Sequence, residues 1–210
     1  GANDSLDDGD ITTTLTATAS NTGGYAGTET ATTTVKNTDN DSSGITIAQT
    51  GTTDGSGNLL TTEAGGTSTF TVVLDAQPTA NVTVTLTGTD STEHSLSSSS
   101  LTFTAANWDT AQTITVTGAN DSLVDGDITT TLTATASNTG GYAGTETATT
   151  TVKNTDNDAS GITIAKTGST DGSGNLLTTE AGGSSTFTVV LDAKPTANVT
   201  VNLSGADSTE

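Results

Sequence analysis

Hydrophobic and polar residues alternate along most of this chain with a period of two. The alternation is clearest in segments 70–74, 82–86, 101–103, 114–116, 128–134 and 148–152. Threonine fills many of the alternate positions, and 55 of the 210 residues are Thr. This pattern is typical of β-strands with one buried face, and Thr suits the solvated face of a pleated sheet. No stretch shows a helical period, so the pattern predicts an all-β protein with turns rich in Gly, Asn, Asp and Ser.

The chain is a tandem repeat. Residues 1–41 return almost unchanged at 118–158, and the match continues to the end of the chain with a period of 117 residues. Of the 93 duplicated positions nine differ, including Asp7/Val124 and Gln77/Lys194. Copies this similar indicate recent duplication of a module, which is typical of an array and not of an enzyme.

Each period predicts one β-sandwich. About seven short strands in a module of this size favour two packed antiparallel sheets of the immunoglobulin or fibronectin type. We expect 1–41 to be the C-terminal part of one repeat, 42–158 a complete sandwich, and 159–210 the N-terminal part of the next repeat. Segment 94–117 occurs only once. The core is expected to be thin, because Thr and Ala occupy several inward positions.

Charge narrows the choice of partners. The chain has 24 acidic residues, 4 basic residues and no Cys, which gives a net charge of −20. Phosphate repels so acidic a chain, which excludes nucleic acid as a partner, and anionic membrane surfaces are excluded by the same sign. No apolar run approaches the length of a spanning helix and no signal peptide is present, so we expect a segment of a longer chain without membrane insertion. The natural partner is a cation.

The acidic residues cluster in loops. In the complete module they are Glu63, Asp90, Asn120-Asp121 with Asp125 and Asp127, and Asp156 with Asp158. Successive antiparallel strands return alternate loops to the same end of a sandwich. The loops of Asp90, of 120–127 and of 156–158 are therefore expected to share one end. Glu63 joins them if it lies where the first edge strand passes to the second.

The ligand types favour Ca²⁺, which takes 6–8 oxygen atoms at about 2.3–2.6 Å. Mg²⁺ prefers fewer protein ligands, and Zn²⁺ prefers nitrogen or sulfur. The alternative is that these residues are solvated turns, since Asp, Asn and Gly favour turns in any case. Segment 39–44 copies the opening of an EF-hand loop, but Thr50 stands at the position of the bidentate Glu and no helices are predicted beside it.

At these residues the chain resembles the Calx-beta domain, in the version repeated in large bacterial surface proteins such as RTX-type adhesins. The likeness covers the whole period and is most specific in Glu63-Ala64-Gly65-Gly66, the loop 120–127 and Asp156-Asn157-Asp158. It implies a two-sheet sandwich that binds Ca²⁺ at one end. It assigns ligand roles to Glu63, Asp90, Asp121, Asp125, Asp127, Asp156 and Asp158, and it places Asn120 where stronger calcium binders carry an acid.

The partial copies carry complementary halves of the same site. The N-terminal half is Asp4, Asp8, Asp10, Asp39 and Asp41, and the C-terminal half is Glu180 and Asp207. Neither set is complete. Asp7, which is replaced by Val124 in the second copy, is not expected to be a ligand.

Several other residues are expected to be structural. His94 is predicted to be a surface residue in a Ser-rich loop, and Trp108 to cover the end of the core. Tyr25 and Tyr142 are predicted to pack at strand bends. Carboxylate pairs also perform hydrolysis in glycosidases, but carboxylates repeated in every copy fit a structural metal better. We therefore expect no enzyme activity.

The main functional hypothesis is mechanical. The chain is expected to be an extracellular extender of a secreted bacterial cell-surface adhesin of the kind that acts in biofilm, in which Ca²⁺ stiffens the junctions between neighbouring repeats. The second hypothesis is a subunit of a fibre or surface layer, in which the end fragments of identical chains complement each other. Glycan adhesion by the modules would need aromatic or charged flanks, and a calcium sensor would need sites tuned to micromolar Ca²⁺. Neither feature is evident in the sequence.

Overall fold

The computed structural model describes residues 1–205. Within this range the chain forms thirteen β-strands and no helix, which confirms the all-β class that the alternation predicts. The strands are β1 Ile11–Thr18, β2 Thr30–Asn37, β3 Ile45–Gln49, β4 Leu59–Thr62, β5 Thr67–Leu74, β6 Val82–Thr87, β7 His94–Leu96, β8 Ser100–Phe103, β9 Gln112–Gly118, β10 Ile128–Ala136, β11 Thr147–Thr155, β12 Ile162–Lys166 and β13 Phe187–Leu191. No helix long and apolar enough to cross a membrane occurs among these residues.

Strands β3 to β11 form a sandwich of two sheets. One sheet has the order β3-β5-β9-β7 and the other the order β4-β11-β10-β6-β8. The buried hydrophobic core runs along the chain from Ile45 to Val152. Its largest fully buried side chains include Phe70, Phe103 and Leu132.

Strand β6 shows how the alternation produces this core. Val82, Val84 and Leu86 are buried, whereas the threonines between them are exposed. Burial of each such aliphatic side chain contributes about 1.5–3 kcal/mol. The core remains thin, because β10 contributes only Leu132, Ala134 and Ala136 as fully buried side chains. A one-residue slip of register would turn the threonines inward, so the alternation also fixes the pairing of the strands.

Strand β4 is the element that positions the acidic end. It lies between β3 and β5 in sequence, but it crosses to the other sheet and pairs in parallel with β11. In this register Thr62 stands opposite Thr155, and the N–H of Glu63 donates to the carbonyl of Thr155 at 3.2 Å. The parallel pairing therefore sets Glu63 beside the segment 156–158.

The two ends of the chain repeat the local structure of the sandwich without its burial. Hairpin β1–β2 has the same register as β10–β11, with Ile11 opposite Asn37 where the sandwich has Ile128 opposite Asn154. Leu15 is nevertheless 52% exposed, whereas Leu132, its counterpart, is fully buried. The antiparallel pair β12–β13 likewise repeats the pairing of β3 with β5. The repeated sequence fixes strand pairing, and burial requires the other strands of a module.

Two of the aromatic predictions are confirmed. Trp108 packs against the core, and its carbonyl accepts the N–H of Leu74 at 3.1 Å. Tyr142 is buried, and its hydroxyl donates to the carbonyl of Ala76 at 2.9 Å. The prediction for Tyr25 is wrong, since this counterpart of Tyr142 is 59% exposed.

We predict that Tyr142→Phe destabilises the sandwich by about 1–2 kcal/mol, because the carbonyl of Ala76 loses its buried donor. The matched change Tyr25→Phe should alter the free energy of unfolding by less than about 0.5 kcal/mol, since that side chain is exposed. Urea unfolding followed by the fluorescence of Trp108 measures both values. Equal effects of the two changes would contradict the assigned role of the Tyr142 hydroxyl.

Candidate metal site

Carboxylates from four segments meet at one end of the central sandwich. Glu63 follows β4, Glu93 precedes β7, Asp121 and Asp125 lie between β9 and β10, and Asp158 follows β11. One oxygen each of Glu63, Asp121 and Asp158 lie within 4.8 Å of one another, and the same is true of Glu93, Asp121 and Asp125. Asp121 belongs to both groups. The geometry is therefore that of two adjacent positions that share one carboxylate.

A glycine allows the β9–β10 loop, residues 119–127, to approach Glu63. A Cβ atom on Gly118 would lie 2.2 Å from the carbonyl oxygen of Thr62, which is too close for any other residue. The N–H of Gly118 donates to the carbonyl of Gly66 at 3.0 Å, and the next N–H, of Ala119, donates to the carbonyl of Glu93 at 2.8 Å. The start of the loop is thus hydrogen-bonded to the segments that carry both buried glutamates.

Carboxylates also hold the loop in shape. The side chain of Asp121 accepts the N–H of Leu123 at 2.7 Å. The two oxygens of Asp156 accept the N–H groups of Gly126 at 2.8 Å and of Asp158 at 2.7 Å. Gly126 has a φ of 79°, a conformation that favours glycine, and this allows the turn between Asp125 and Asp127. Asp156 therefore connects the loop to the chain after β11 through these hydrogen bonds.

Glu63 is a buried acid among other acids. Its side chain is 4% exposed, and one oxygen accepts the N–H of Asn157 at 3.0 Å. This hydrogen bond lowers the pKa of Glu63, but burial and the charges of Asp156, Asp121 and Asp158 outweigh it, so that the pKa is raised. The fold therefore favours the neutral form of Glu63 unless a cation compensates its charge.

Glu93 is the second buried acid, with 6% of its surface exposed. Burial raises its pKa, a hydrogen bond from Asn154 at 3.4 Å opposes the rise, and the charges of Asp125, Asp90 and Asp121 add to it. Asn154 is itself buried. It also donates to the carbonyl of Ala119 at 3.1 Å and accepts the hydroxyl of Thr61 at 2.9 Å. This hydrogen-bond network connects the buried Glu93 and the start of the β9–β10 loop to β4 and β11.

The donor set fits a hard divalent cation. Every ligand is a carboxylate oxygen, which suits Ca²⁺ or Mg²⁺ and not a metal that selects nitrogen or sulfur. Two unit charges at this spacing repel each other by about 3–4 kcal/mol at an effective dielectric constant of about 20. In the part of the chain that the structure describes, the Oδ2 atom of Asp158 is buried and has no hydrogen-bond partner. A cation beside it would satisfy this oxygen and relieve the repulsion.

The remaining predicted ligands of the module lie outside both groups of three. The carboxylate of Asp90 accepts the N–H and the hydroxyl of Thr92 at 3.0 and 2.6 Å. Asp127 forms an ion pair with Lys153 at 2.7 Å, and this contact lowers the pKa of the carboxyl. Asn120 accepts the side-chain N–H of Asn157 at 3.0 Å. These residues, together with Asp156, shape the loops around the five carboxylates.

The N-terminal copy contains part of the same arrangement. Asp4, Asp8, Asp39 and Asp41 line a cleft of about 170 Å³, and Asp10 pairs with Lys36. Asp39 accepts the N–H groups of Asp8 at 3.0 Å and Gly9 at 2.8 Å, as Asp156 accepts that of Gly126 in the second copy. Residues 1–41 contain no counterpart of Glu63 or Glu93.

Of the two ligands predicted in the C-terminal copy, one lies within the described residues. Glu180, the counterpart of Glu63, is exposed. Asp207 lies outside the described residues.

Sequence reasoning missed two members of the site and misplaced a third residue. The sequence analysis names Asp90 and does not identify Glu93, although an acid directly before the short strand β7 is a usable signal. The network residue Asn154 had no signal beyond its inward position on β11. The surface prediction for His94 is wrong, because this residue is 1% exposed, starts β7 and lies 3.5 Å from the hydroxyl of Thr130. Burial lowers its pKa, and the charge of Asp90 opposes this.

Comparison with known proteins adds little. No family model matches the chain, and a search of curated proteins gives no match. A solved structure of the surface layer protein SbsC, domains 1–6, is similar at 19% identity and a TM-score of 0.34, over 84% of this chain and 28% of that one. The chain thus spans less than a third of the length of that protein, and a likeness at this level carries no argument about function.

We predict that, in the presence of EDTA, the two buried glutamates destabilise the module as the pH rises. Their pKa values lie above the ordinary value of 4.5 in the folded state, so the fold binds their protons more tightly than the unfolded chain does. Their contribution is therefore fully favourable below pH 4.5 and is lost as the pH rises through the raised pKa values. The double variant Glu63→Gln/Glu93→Gln should lack this loss and be more stable than the wild type at pH 7.

Denaturant unfolding from pH 4 to pH 8 checks this prediction as a difference between the two proteins. The difference cancels the contribution of His94, which acts in the opposite direction because its lowered pKa reduces stability as the pH falls below 6.5. A difference that does not change with pH would show that the two glutamates are not electrostatically strained in the fold.

Proposed function

We propose that this chain is a calcium-stiffened extender, a string of β-sandwich repeats that holds a binding domain of a bacterial cell-surface adhesin away from the cell. The observation that carries the proposal is the group Glu63, Asp121 and Asp158, because Asp158 lies at the point where the chain leaves the sandwich. Strand β12 of the next repeat begins at Ile162, only a few residues later. A cation held there constrains the connection between repeats.

Calcium is the cation that the site favours. Two adjacent positions share Asp121, and the five carboxylates supply many oxygens in a small volume. Ca²⁺ accepts such crowded and irregular oxygen sets, whereas Mg²⁺ requires near-ideal octahedral geometry and retains several waters. Extracellular sites of this kind bind with dissociation constants of about 10⁻⁴–10⁻³ M, which suffices at millimolar extracellular Ca²⁺. A cell-surface location, in which these sites fill only after export, belongs to the proposal.

The mechanical consequence follows from how the chain is held after β11. Without a cation, carboxylates from four segments repel each other, and hydrogen bonds hold this part of the chain, between Asp156 and the β9–β10 loop and from Asn157 to Glu63 and Asn120. With a cation, Asp158 and Asp121 are joined to the buried Glu63. The exit of the chain then becomes part of the rigid end of the sandwich. The resemblance to Calx-beta repeats is consistent with this role.

We predict that Ca²⁺ at about 5 mM stabilises the module by about 2 kcal/mol, the value expected from mass action for a dissociation constant near 10⁻⁴ M. The chain should also become more extended, because its junctions stiffen. Thermal melting and small-angle scattering, each in EDTA and in Ca²⁺, measure the two effects. Glu63→Gln should reduce the gain in stability by more than half.

The matched control is Asp109→Asn, which removes one charge from an exposed position outside both groups. This variant should keep the full response to Ca²⁺. If the control and the site variant respond alike, Ca²⁺ acts through general charge screening and the proposed site is wrong.

A second candidate is a subunit of a fibre or surface layer, and exposed apolar side chains on the strand pairs at the two ends favour it. Leu15 and Val35 on β1–β2, and Ile164 and Phe187 on β12–β13, have counterparts that pack in the central module. Joining such ends would, however, supply no counterpart of β9, because segment 94–117 occurs only once in the chain. In the central sandwich β9 pairs with both β5 and β7. Light scattering separates the candidates, since a fibre subunit grows in mass with concentration and an extender stays monomeric.

A further inference from the structure

The same backbone contact joins consecutive repeats at both junctions of the chain. The carbonyl of Ser5 accepts the N–H of Gln77 at 2.7 Å, and the carbonyl of Ser122 accepts the N–H of Lys194 at 2.7 Å. Each residue of the second pair lies 117 positions after its counterpart in the first. At the second junction Leu123 also forms a parallel bridge with Lys194. A contact that forms twice, with different side chains at 77 and 194, is a property of the repeat.

The β9–β10 loop therefore has two sides. Asp121 and Asp125 face the buried glutamates of their own module, whereas Ser122 and Leu123, between them in sequence, contact the next repeat. Asp121 and Ser122 are adjacent, so a movement that separates the carboxylates also moves the docking carbonyl. In the first copy the corresponding residues 5–7 are half-buried, although residues on either side of them are exposed.

The surface of the following repeat that contacts this loop accepts two kinds of side chain at one loop position, which is residue 7 in the first copy and residue 124 in the second. At the first junction the carboxylate of Asp7 accepts the N–H of Ser43 at 2.7 Å, and the hydroxyl of Ser43 donates to Glu146 at 3.3 Å. At the second junction Val124 replaces Asp7 and, together with Ile162 and Leu191, lines a cleft of about 490 Å³. This position therefore changes the chemistry of the junction while the backbone contact is kept.

We propose that the β9–β10 loop couples cation binding in one repeat to docking of the next. The surface around Lys194 is the docking site for this loop, and the surface around Gln77 is the docking site for its counterpart in the first copy, residues 2–10. This proposal rests on the proposed calcium site and adds its partner. A cation that draws Asp121 and Asp125 together holds Ser122 in the position that accepts the Lys194 N–H. Residue 7 or 124 then sets whether the rest of the junction is polar or apolar.

Amide hydrogen exchange on the 210-residue chain, in EDTA and in 5 mM Ca²⁺, tests the coupling directly. The amide of Lys194 should exchange at least about tenfold more slowly in Ca²⁺. The amide of Gln77 should slow by less than about threefold, because its loop belongs to a copy without counterparts of Glu63 and Glu93. The Asp121→Asn variant should lose the effect of Ca²⁺ on Lys194 and leave Gln77 unchanged.

A separate variant tests the docking surface without touching the metal site. Asp7→Val introduces the residue of the second copy. The Ser43 amide should then exchange at least about fivefold faster, whereas exchange at Gln77 should not change. Val124→Asp is the reciprocal control and should add protection to the amide of Ser160, the counterpart of Ser43. Unchanged exchange at Ser43 in Asp7→Val would overturn the assignment of position 7.

The amide of Asn157, which donates to Glu63, reports on the metal site itself. Slower exchange at Asn157 in Ca²⁺ without any change at Lys194 would overturn the coupling and leave the calcium site standing. No change at Asn157, together with no change in melting temperature, would overturn the calcium site and the coupling with it.

Discussion

The burial of like charges at one end of the sandwich is the constraint on which the rest of this structure depends. Glu63 and Glu93 are removed from water and lie close to Asp121, Asp125 and Asp158. Hydrogen bonds from Asn157 and Asn154 compensate only part of this strain, since the pKa of each glutamate remains raised. The thin Thr- and Ala-rich core leaves little stability in reserve against it. Protons on the two glutamates, or a cation beside them, would relieve this strain.

The topology explains why the strained end is also the junction. Strand β4 crosses to the second sheet and pairs in parallel with β11, so that Glu63 lies against the exit of the chain. The β9–β10 loop contributes the central carboxylate, Asp121, and then contacts the following repeat through the neighbouring carbonyl of Ser122. Ion binding, chain exit and docking therefore involve residues that are adjacent in sequence. In the proposed function this adjacency is what converts an ion-binding event into stiffness.

The sequence predicts six of the nine strands of the sandwich, because β5, β6, β8, β9, β10 and β11 each have a clear period of two. The short strands β3, β4 and β7 do not show it as clearly. The sequence also predicts that the acidic loops share one end of the module. It does not predict which oxygens meet. Asp90 and Glu93 are three residues apart in one loop, and only the turn at Thr92, which binds Asp90, turns Glu93 inward. The surface prediction for His94 fails for a related reason, since its Ser-rich surroundings give no sign that it begins strand β7 and is buried.

Burial at the chain ends shows the same limit of sequence reasoning. Leu15 and Leu132 have identical sequence neighbours and the same register within their hairpins, yet only Leu132 is buried. Strand β10 also pairs with β6, whereas β1 and β2 form a two-stranded sheet. Local pattern determines the hairpin, whereas burial depends on strands that are distant in sequence. The docking contact between repeats cannot be predicted from the sequence either. It is a hydrogen bond between the backbones of Ser5 and Gln77, so it does not require particular side chains.

The most direct test of the central claim is a crystal structure of the chain grown with Ca²⁺, with anomalous diffraction used to locate the ions. The account predicts an anomalous peak among Glu63, Asp121 and Asp158, at about 2.3–2.6 Å from their oxygens, and a second peak beside Glu93 that shares Asp121. An ordered acidic end without an ion at saturating Ca²⁺ would contradict it. The carboxylates would then be turn and loop residues whose strain is relieved by protons alone.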